Sequence, residues 1–240
     1  MEFLSSPEFW IALGQIIIID ILLGGDNAVV IALACRKLPP AQRTKGIIWG
    51  TAGAIILRVI LIAFAMTLLA LPFLKFVGAL LLVWIGVKLL APDEEGHGNV
   101  EGSDKLFAAI KTIIVADLVM SVDNVIAIAG AAQNAGEHQM LLVVLGLLIS
   151  IPIIVWGSQL VIKLMDRFPV VIVVGGMLLG WIAGTMAVTD PAIVGYIAAP
   201  AAEGAKPEAS AAIRYGAGIA GALLVLAVGK MMAARKPSAA

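Results

Sequence analysis

Six acidic and amide residues lie within long apolar stretches of this sequence, where charged groups are expensive to bury. They are Asp20, Asp26, Asn27, Asp117, Asp123 and Asn124. One ionised carboxylate at the centre of a bilayer costs about 2.5–3.5 kcal/mol, so four cost roughly 10–14 kcal/mol. Arg58 is the one obvious intramembrane cation, and it cannot neutralise four carboxylates. Protonation, access of water or a bound cation must therefore offset the burial.

The chemistry of these side chains favours a hard cation as the ligand. Four carboxylates and two amide carbonyls form an all-oxygen set, which suits Mn²⁺, Ca²⁺ and Mg²⁺. Zinc and copper more often recruit Cys or His, but the chain has one cysteine, Cys35, and its two histidines lie in polar stretches. Four negative charges favour a divalent ion over Na⁺. We hypothesise that release of the cation is coupled to proton uptake by the emptied carboxylates.

The spacing of the first acidic pair predicts a broken helix. At about 100° per residue, Asp20 and Asp26 lie some 240° apart on a continuous helix and cannot face one small site. Gly24-Gly25 supplies a place to unwind. The second copy has Ser121-Val122 instead, which predicts a weaker or different break, with Ser121 hydrogen-bonding the freed backbone. Discontinuous helices of this kind bind ions in transporters.

Simpler interpretations apply to the same residues. Asp26-Asn27 could serve only as the N-cap of a helix that starts there. Asp20 and Asp117 could merely pair with polar groups inside the bundle. For Arg58 we favour a structural role, either pairing with an aspartate or snorkelling, over a role as a substrate ligand.

A shift of 97 residues aligns the second half of the chain with the first without a gap. The shift matches Asp20 with Asp117, Asp26-Asn27 with Asp123-Asn124, Pro72 with Pro169, and Trp84-Ile85 with Trp181-Ile182. Repeated polar residues and tryptophans at one offset do not arise easily by chance. Each copy holds three predicted spans, and three is odd. The second copy therefore enters the bilayer from the opposite side, as an inverted repeat.

Composition and apolar runs predict an all-α integral membrane protein. Of its 240 residues, 61% are hydrophobic and 13% charged, whereas soluble domains are about a quarter charged. Sixteen basic residues balance sixteen acidic ones, so we expect no binding to nucleic acid. Seven runs are long enough to cross about 30 Å of hydrocarbon. They are residues 9–34, 46–70, 73–90, 106–132, 140–164, 170–188 and 213–232.

The basic residues predict the orientation in the membrane. Twelve lie beside alternate connections: Arg36, Lys37, Arg43, Lys45, Lys88, Lys105, Lys111, Lys163, Arg167, Lys230, Arg235 and Lys236. Three lie on the other side: Lys75, Lys206 and Arg214. Because cytoplasmic loops carry the excess of Lys and Arg, we expect an N-terminus outside and a C-terminus in the cytoplasm. No basic residue precedes the first span, so we expect it to be retained and not cleaved as a signal peptide.

These features divide the chain into five predicted segments. Residues 1–91 and 106–188 form the two three-helix repeats, and residues 213–240 form a seventh span with a cytoplasmic tail. Residues 92–105 form an acidic cytoplasmic loop, and residues 189–212 form an outer loop rich in Pro and Ala. Gly176, Gly180 and Gly184 have the small-xxx-small spacing of close helix packing. The pattern from Gly216 to Gly221 matches a dinucleotide fingerprint but lacks its βαβ context.

The two motifs resemble those of a known family. Gly24-Gly25-Asp26-Asn27-Ala28 and Ser121-Val122-Asp123-Asn124-Val125, each preceded at six residues by an aspartate, resemble the TerC family of integral membrane proteins. The resemblance covers essentially the whole chain and is closer to the short YjbE-like branch.

Membership would imply a transporter of the bacterial inner membrane, related to the LysE-type exporters. The family is associated with manganese efflux and, in other members, with tellurite resistance or work beside secretion machinery. The resemblance implies that the six residues Asp20, Asp26, Asn27, Asp117, Asp123 and Asn124 bind the metal. The expected substrate is Mn²⁺, with Ca²⁺ as the alternative. It would move by alternating access at the interface of spans one and four.

Two other functions remain alternatives. A membrane-embedded accessory subunit of a secretion or stress-response complex would hold a metal structurally. An intramembrane aspartyl protease would use Asp20 and Asp117 as its dyad, yet this explains neither the second Asp-Asn pair nor the repeat. Neither histidine lies in a span, so a Ser–His–Asp site has little support. We therefore expect a transporter and not an enzyme.

Overall fold

All regular structure in the described part of the chain is helical. The computed structural model describes residues 7–64, 71–91, 102–133, 139–198 and 208–234. Its helices are α1 (Pro7–Leu23), α2 (Gly25–Cys35), α3 (Pro40–Ala63), α4 (Leu74–Leu90), α5 (Gly102–Gln133), α6 (Gln139–Arg167), α7 (Val170–Val188), α8 (Pro191–Ile197) and α9 (Ala211–Ala234). Most described residues of the seven predicted spans are helical, with Gly24, Phe64 and Phe73 as the exceptions. The all-α prediction is confirmed for this part of the chain.

Four helices are long and apolar enough to cross a bilayer, namely α3, α6, α7 and α9. α1 and α2 provide a fifth candidate, because a short break with a bend of 47° separates them. α4 has 17 residues, which span about 26 Å at 1.5 Å per residue, slightly less than the ~30 Å of hydrocarbon. The described residues therefore support four or five spans.

The helices group into two compact units. The first unit contains residues 1–68 and 101–164, and the second contains residues 69–100 and 165–240. α1, α2, α3, α5 and most of α6 thus belong to the first unit. α4, α7, α8 and α9 belong to the second. Each unit takes corresponding helices from both copies of the 97-residue repeat.

Within the first unit, α3 and α5 are in close contact and run in the same direction. A Cβ atom on Gly50 of α3 would lie 2.5 Å from the Cδ1 atom of Ile113, so glycine is what permits this approach. Further along both helices, Arg58 Nε donates to Ser121 Oγ at 3.0 Å. Residue numbers rise together along the contact, which fixes the relative direction.

α1 and α2 run opposite to α5 in the same unit. Ile16 of α1 and Ile128 near the end of α5 are fully buried in one hydrophobic cluster. At the other end, Gly46 is flanked by Cys35, the last residue of α2, and by Leu106 near the start of α5. The start of α1 therefore lies toward the end of α5, and the end of α2 toward its start.

In the second unit, α7 and α9 meet through glycines. A Cβ atom on Gly180 would lie 2.3 Å from the carbonyl oxygen of Gly221, and one on Gly184 would lie 2.0 Å from that of Ala217. The backbones can approach this closely only because side chains are absent. The small-xxx-small prediction is confirmed, and the glycine-rich stretch of α9 forms the other side of the same contact.

The predicted outer connection contains a short helix. Within residues 189–212, α8 is helical, and residues 199–207 lie outside the described part. Asp190 begins α8 and accepts the amide hydrogen of Ala192 at 2.8 Å. Its carboxylate also accepts from the amides of Phe73 at 3.0 Å and Phe76 at 3.1 Å, at the start of α4. The Asp190-Pro191 dipeptide, an N-cap followed by a proline, was the overlooked signal.

Candidate metal centre

The predicted helix break at Gly24-Gly25 is confirmed. α1 ends at Leu23 and α2 begins at Gly25. The two glycines differ in what they permit. A Cβ atom on Gly24 would lie 2.4 Å from the carbonyl oxygen of Asp20, whereas one on Gly25 would meet nothing within 4 Å. The close approach of the backbone at the bend therefore requires glycine at position 24.

The break predicted at Ser121-Val122 is absent, because α5 continues through both residues. The Ser121 hydroxyl donates to Asp117 Oδ2 at 3.0 Å instead of bonding freed backbone. Residues four apart share one face of a continuous helix, so these two side chains meet without unwinding. The serine therefore organises a carboxylate where the first copy has a bend.

Arg58 joins the two repeat-equivalent aspartates. Its Nη1 donates to Asp20 Oδ1 and its Nη2 to Asp117 Oδ1, forming two ion pairs. Its Nε donates to Ser121 Oγ. The arginine, both aspartates and the serine are all buried. Pairing of Arg58 with an aspartate is thus confirmed, and the guanidinium holds two carboxylates at once.

Several buried polar atoms of α1, α2 and α3 have no hydrogen-bond partner. They include Asp20 Oδ2, Asn27 Oδ1, Asn27 Nδ2 and Thr51 Oγ1. Asn27 is 4% exposed, and leaving a buried polar group unpaired costs about 1–3 kcal/mol. Such atoms are candidates to bind an ion or water. Thr51 lies on α3 seven residues before Arg58, so it shares that helix face. Neither its residue type nor its spacing singles it out in the sequence.

Asp26 occupies the first turn of α2 but does not act as its N-cap. The N-cap is Gly24, with no side-chain hydrogen bond there. Asp26 Oδ1 accepts the backbone amide hydrogen of Asn27 at 2.9 Å. A carboxylate in the first turn also interacts favourably with the positive end of the helix dipole. The simple N-cap interpretation of Asp26-Asn27 is therefore wrong for this helix.

The structure brings some of the six predicted ligands together. Asp20 and Asp117 share Arg58, while Asp26 and Asn27 lie on the turn after the bend. Asn124 is partly buried on α5, and the side chain of Asp123 lies outside those described. Among the described side chains, no three His, Cys, Asp or Glu are grouped so as to hold a metal. The complete six-residue site remains a prediction.

The local charge is unbalanced. One guanidinium faces the carboxylates of Asp20 and Asp117, which leaves one negative charge if both are ionised. The unpartnered Asp20 Oδ2 and Asn27 Oδ1 are oxygen acceptors of the kind that hard cations prefer. This part of the first unit can therefore attract a cation.

Comparison with known proteins gives the same family along nearly the whole chain. The profile described as the integral membrane protein TerC family matches residues 5–237. The chain is 44% identical over 183 residues to the uncharacterized membrane protein YjbE of Bacillus subtilis, covering 76% of this chain and 82% of that protein. It is 29% identical over 195 residues to YceF, an uncharacterized membrane protein of the same organism, covering 78% of this chain and 74% of that protein.

A third relative is the inner membrane protein YgdQ of Escherichia coli. It is 25% identical over 189 residues, covering 69% of this chain and 75% of that protein. No solved structure matches the chain significantly. The family profile spans both Asp-Asn motifs and all the described helices, so this protein belongs to the TerC family of integral membrane proteins.

Proposed function

We propose that this protein moves a divalent metal cation out of the cell across the bacterial inner membrane, with Mn²⁺ as the first candidate and Ca²⁺ as the second. One observation carries the proposal. Asp20 and Asp117, which occupy equivalent positions of the repeat, meet at a single guanidinium inside the first unit. Intramembrane carboxylates are rare and typically mark ion pathways. A purely structural ion pair would need only one of them.

We further propose seven spans, arranged as two inverted three-helix repeats and a final helix. The direction of the helices supports this topology. α1–α2 and α5 are equivalent in the repeat and run in opposite directions, as inversion requires. α3 and α5 run in the same direction, so the chain between them must cross the membrane again. α4 is the described helix that can provide this crossing.

The proposed transport cycle uses the bend between α1 and α2. A cation would bind between Asp20 and Asp117, with Asp26, Asn27, Asp123 and Asn124 completing its oxygen ligands. The site would then open to each side of the membrane in turn. Proton uptake on release of the cation is part of this proposal, and proton movement should accompany metal movement if it holds.

The arrangement offers less support to the other two functions. An aspartyl protease needs two carboxylates that share one proton, whereas Asp20 and Asp117 each bind a different nitrogen of Arg58. An accessory subunit with a structural metal would not need the opposed repeats, although the uncompensated negative charge would serve its metal equally well. Measurements of Mn²⁺ flux, Mn²⁺ binding and peptide cleavage separate both functions from transport.

Transport should depend on both buried carboxylates. In liposomes containing the purified protein, wild type should take up Mn²⁺ saturably, and Asp20→Asn or Asp117→Asn should lower the rate at least about 10-fold, because asparagine keeps the shape and removes the charge. Mn²⁺ flux and proton flux are recorded together, beside Ca²⁺, Mg²⁺ and Zn²⁺.

Asp104→Asn is the matched control, because Asp104 is exposed in the first turn of the same helix as Asp117. It should transport at the wild-type rate. Normal rates in either buried variant would refute the proposed site. Tight binding of Mn²⁺ without movement would favour the accessory subunit, and cleavage of a peptide would favour the protease.

A further inference from the structure

The hydrogen bonds of Arg58 occupy the atoms that a transported cation would need. Nη1 takes Asp20 Oδ1 and Nη2 takes Asp117 Oδ1, while Ser121 links Nε to Asp117 Oδ2. Of the four carboxylate oxygens of this pair, only Asp20 Oδ2 has no partner. A cation that bound Asp20 Oδ1 or either oxygen of Asp117 would compete with these donors for the negative charge of the two carboxylates.

Arg58 has no counterpart in the second copy of the repeat. Asp20 and Asp117 are equivalent at the shift of 97, but the position equivalent to Arg58 is Val155. One guanidinium therefore serves both copies. Its planar fork, with donors on separate nitrogens, can bridge two carboxylates, which the compact ammonium of a lysine does less well.

Arg58 compensates the negative charge of the two buried carboxylates that it bridges. Two buried carboxylates without a nearby cation repel each other in a medium of low dielectric, and removing one partner of a buried ion pair is strongly unfavourable. A guanidinium on the chain supplies positive charge whenever no metal is bound. It also competes with the metal for the same oxygens.

We propose that Arg58 is a tethered counter-ion, which pairs with Asp20 and Asp117 in the absence of the metal and which the transported cation must displace. The inference rests on the proposed transport function and adds the residue that sets how tightly the cation is held. By opposing tight binding, Arg58 favours release of the cation. Arg58 is thus a positioning and affinity-setting residue and not a ligand.

The test is equilibrium binding of Mn²⁺ to purified full-length protein in detergent, for wild type, Arg58→Gln and Arg58→Lys. Loss of the competing charge should lower the Kd of Arg58→Gln by about 10-fold or more. Arg58→Lys keeps the positive charge but lacks the planar fork of the guanidinium, so its Kd should lie between those of wild type and Arg58→Gln. In liposomes, Arg58→Gln should release Mn²⁺ more slowly than wild type. A role limited to structure predicts unchanged or weaker binding.

Arg43→Gln is the matched control. Arg43 lies on the same helix, 15 residues or about 22 Å before Arg58, and donates to the backbone carbonyls of Leu38 and Arg36. Its removal should leave the Kd within twofold of wild type. If Arg58→Gln folds poorly, Mn²⁺ should raise its melting temperature more than that of wild type, because the metal replaces the missing charge.

The outcomes distinguish the two proposals. Tighter binding by Arg58→Gln, or selective rescue of its stability by Mn²⁺, supports the counter-ion. Wild-type transport with equal or weaker binding in Arg58→Gln, and no selective rescue, overturns the counter-ion and leaves transport standing. Absence of Mn²⁺ binding in both wild type and variant overturns both.

Discussion

Ser121 connects Arg58 to α5 in addition to the ion pair between Arg58 and Asp117. Its hydroxyl accepts a hydrogen bond from Arg58 Nε and donates one to Asp117 Oδ2. This hydroxyl therefore helps to hold both the guanidinium of Arg58 and the carboxylate of Asp117 in place. Arg58 is also the one buried basic side chain among those that the structure describes. Ser121 is thus the neutral member of the three side chains that orient the guanidinium, beside Asp20 and Asp117.

Replacing Ser121 by alanine should destabilise the protein. The change leaves Arg58 Nε and Asp117 Oδ2 without their partner in a buried site, which costs about 1–3 kcal/mol. The measurement is the melting temperature of the purified protein in detergent, together with the Kd for Mn²⁺. We expect a lower melting temperature and an altered Kd.

Ser158→Ala provides the comparison for this prediction. Ser158 is also fully buried on a helix, but its hydroxyl donates to the carbonyl of Ile154, four residues earlier on the same helix. That carbonyl oxygen remains available to the helical backbone, so the substitution should be nearly neutral. Equal losses of stability in the two variants would contradict a special role for Ser121.

At the scale of the helix, the bend between α1 and α2 separates Asp20 from Asp26-Asn27. The sequence could predict it, because two adjacent glycines in an apolar span are a local signal for unwinding. A weaker or different break was also predicted at Ser121, which aligns with Gly24 at the shift of 97, but no break is present there. Serine has a Cβ and keeps helical geometry, so α5 continues there. Equivalent positions of a repeat need not share a backbone conformation.

The contacts of Arg58 could not be predicted from the sequence. The sequence has four aspartates within apolar stretches as possible partners for one arginine, and local spacing does not choose among them. The choice depends on how α3 packs on α5, where Gly50 lies against the side chain of Ile113. Packing between helices 63 residues apart in sequence, the separation of Arg58 and Ser121, is set by the tertiary structure.

The two glycines at the bend should respond differently to alanine. At Gly24 the new Cβ would collide with the carbonyl oxygen of Asp20, whereas at Gly25 it would enter open space. Gly24→Ala should therefore shift the bend, lower the melting temperature and reduce Mn²⁺ transport at least several-fold. Gly25→Ala should keep both near wild type, since alanine also favours the helix that begins there.

Melting in detergent and Mn²⁺ flux in liposomes, measured for both glycine variants in parallel, check this prediction. The pair forms its own control, because the two substitutions are chemically identical and adjacent. Equal effects at both positions would show that the bend does not depend on the close approach at Gly24.

At the scale of the whole chain, the repeat relates positions that the proposed topology places on opposite sides of the membrane. α1–α2 and α5 run in opposite directions within the first unit, and the basic residues alternate as seven spans require. Leu71 precedes α4 and Phe168 precedes α7, and the two are equivalent at the shift of 97. Both side chains are exposed, at 45% and 47%. An inverted repeat therefore places these two residues on opposite sides of the membrane, whereas a parallel repeat places them on the same side.

Single cysteines at these two positions should react from opposite sides. Cys35 is a buried free thiol and is replaced by serine to remove the background. In intact cells, a membrane-impermeant maleimide should label Leu71→Cys, whereas Phe168→Cys should be labelled only after permeabilisation, because the connection at residues 165–169 is predicted to be cytoplasmic. Labelling of both from the same side would exclude the inverted arrangement. The opposite assignment would keep the inversion but reverse the orientation that the basic residues predict.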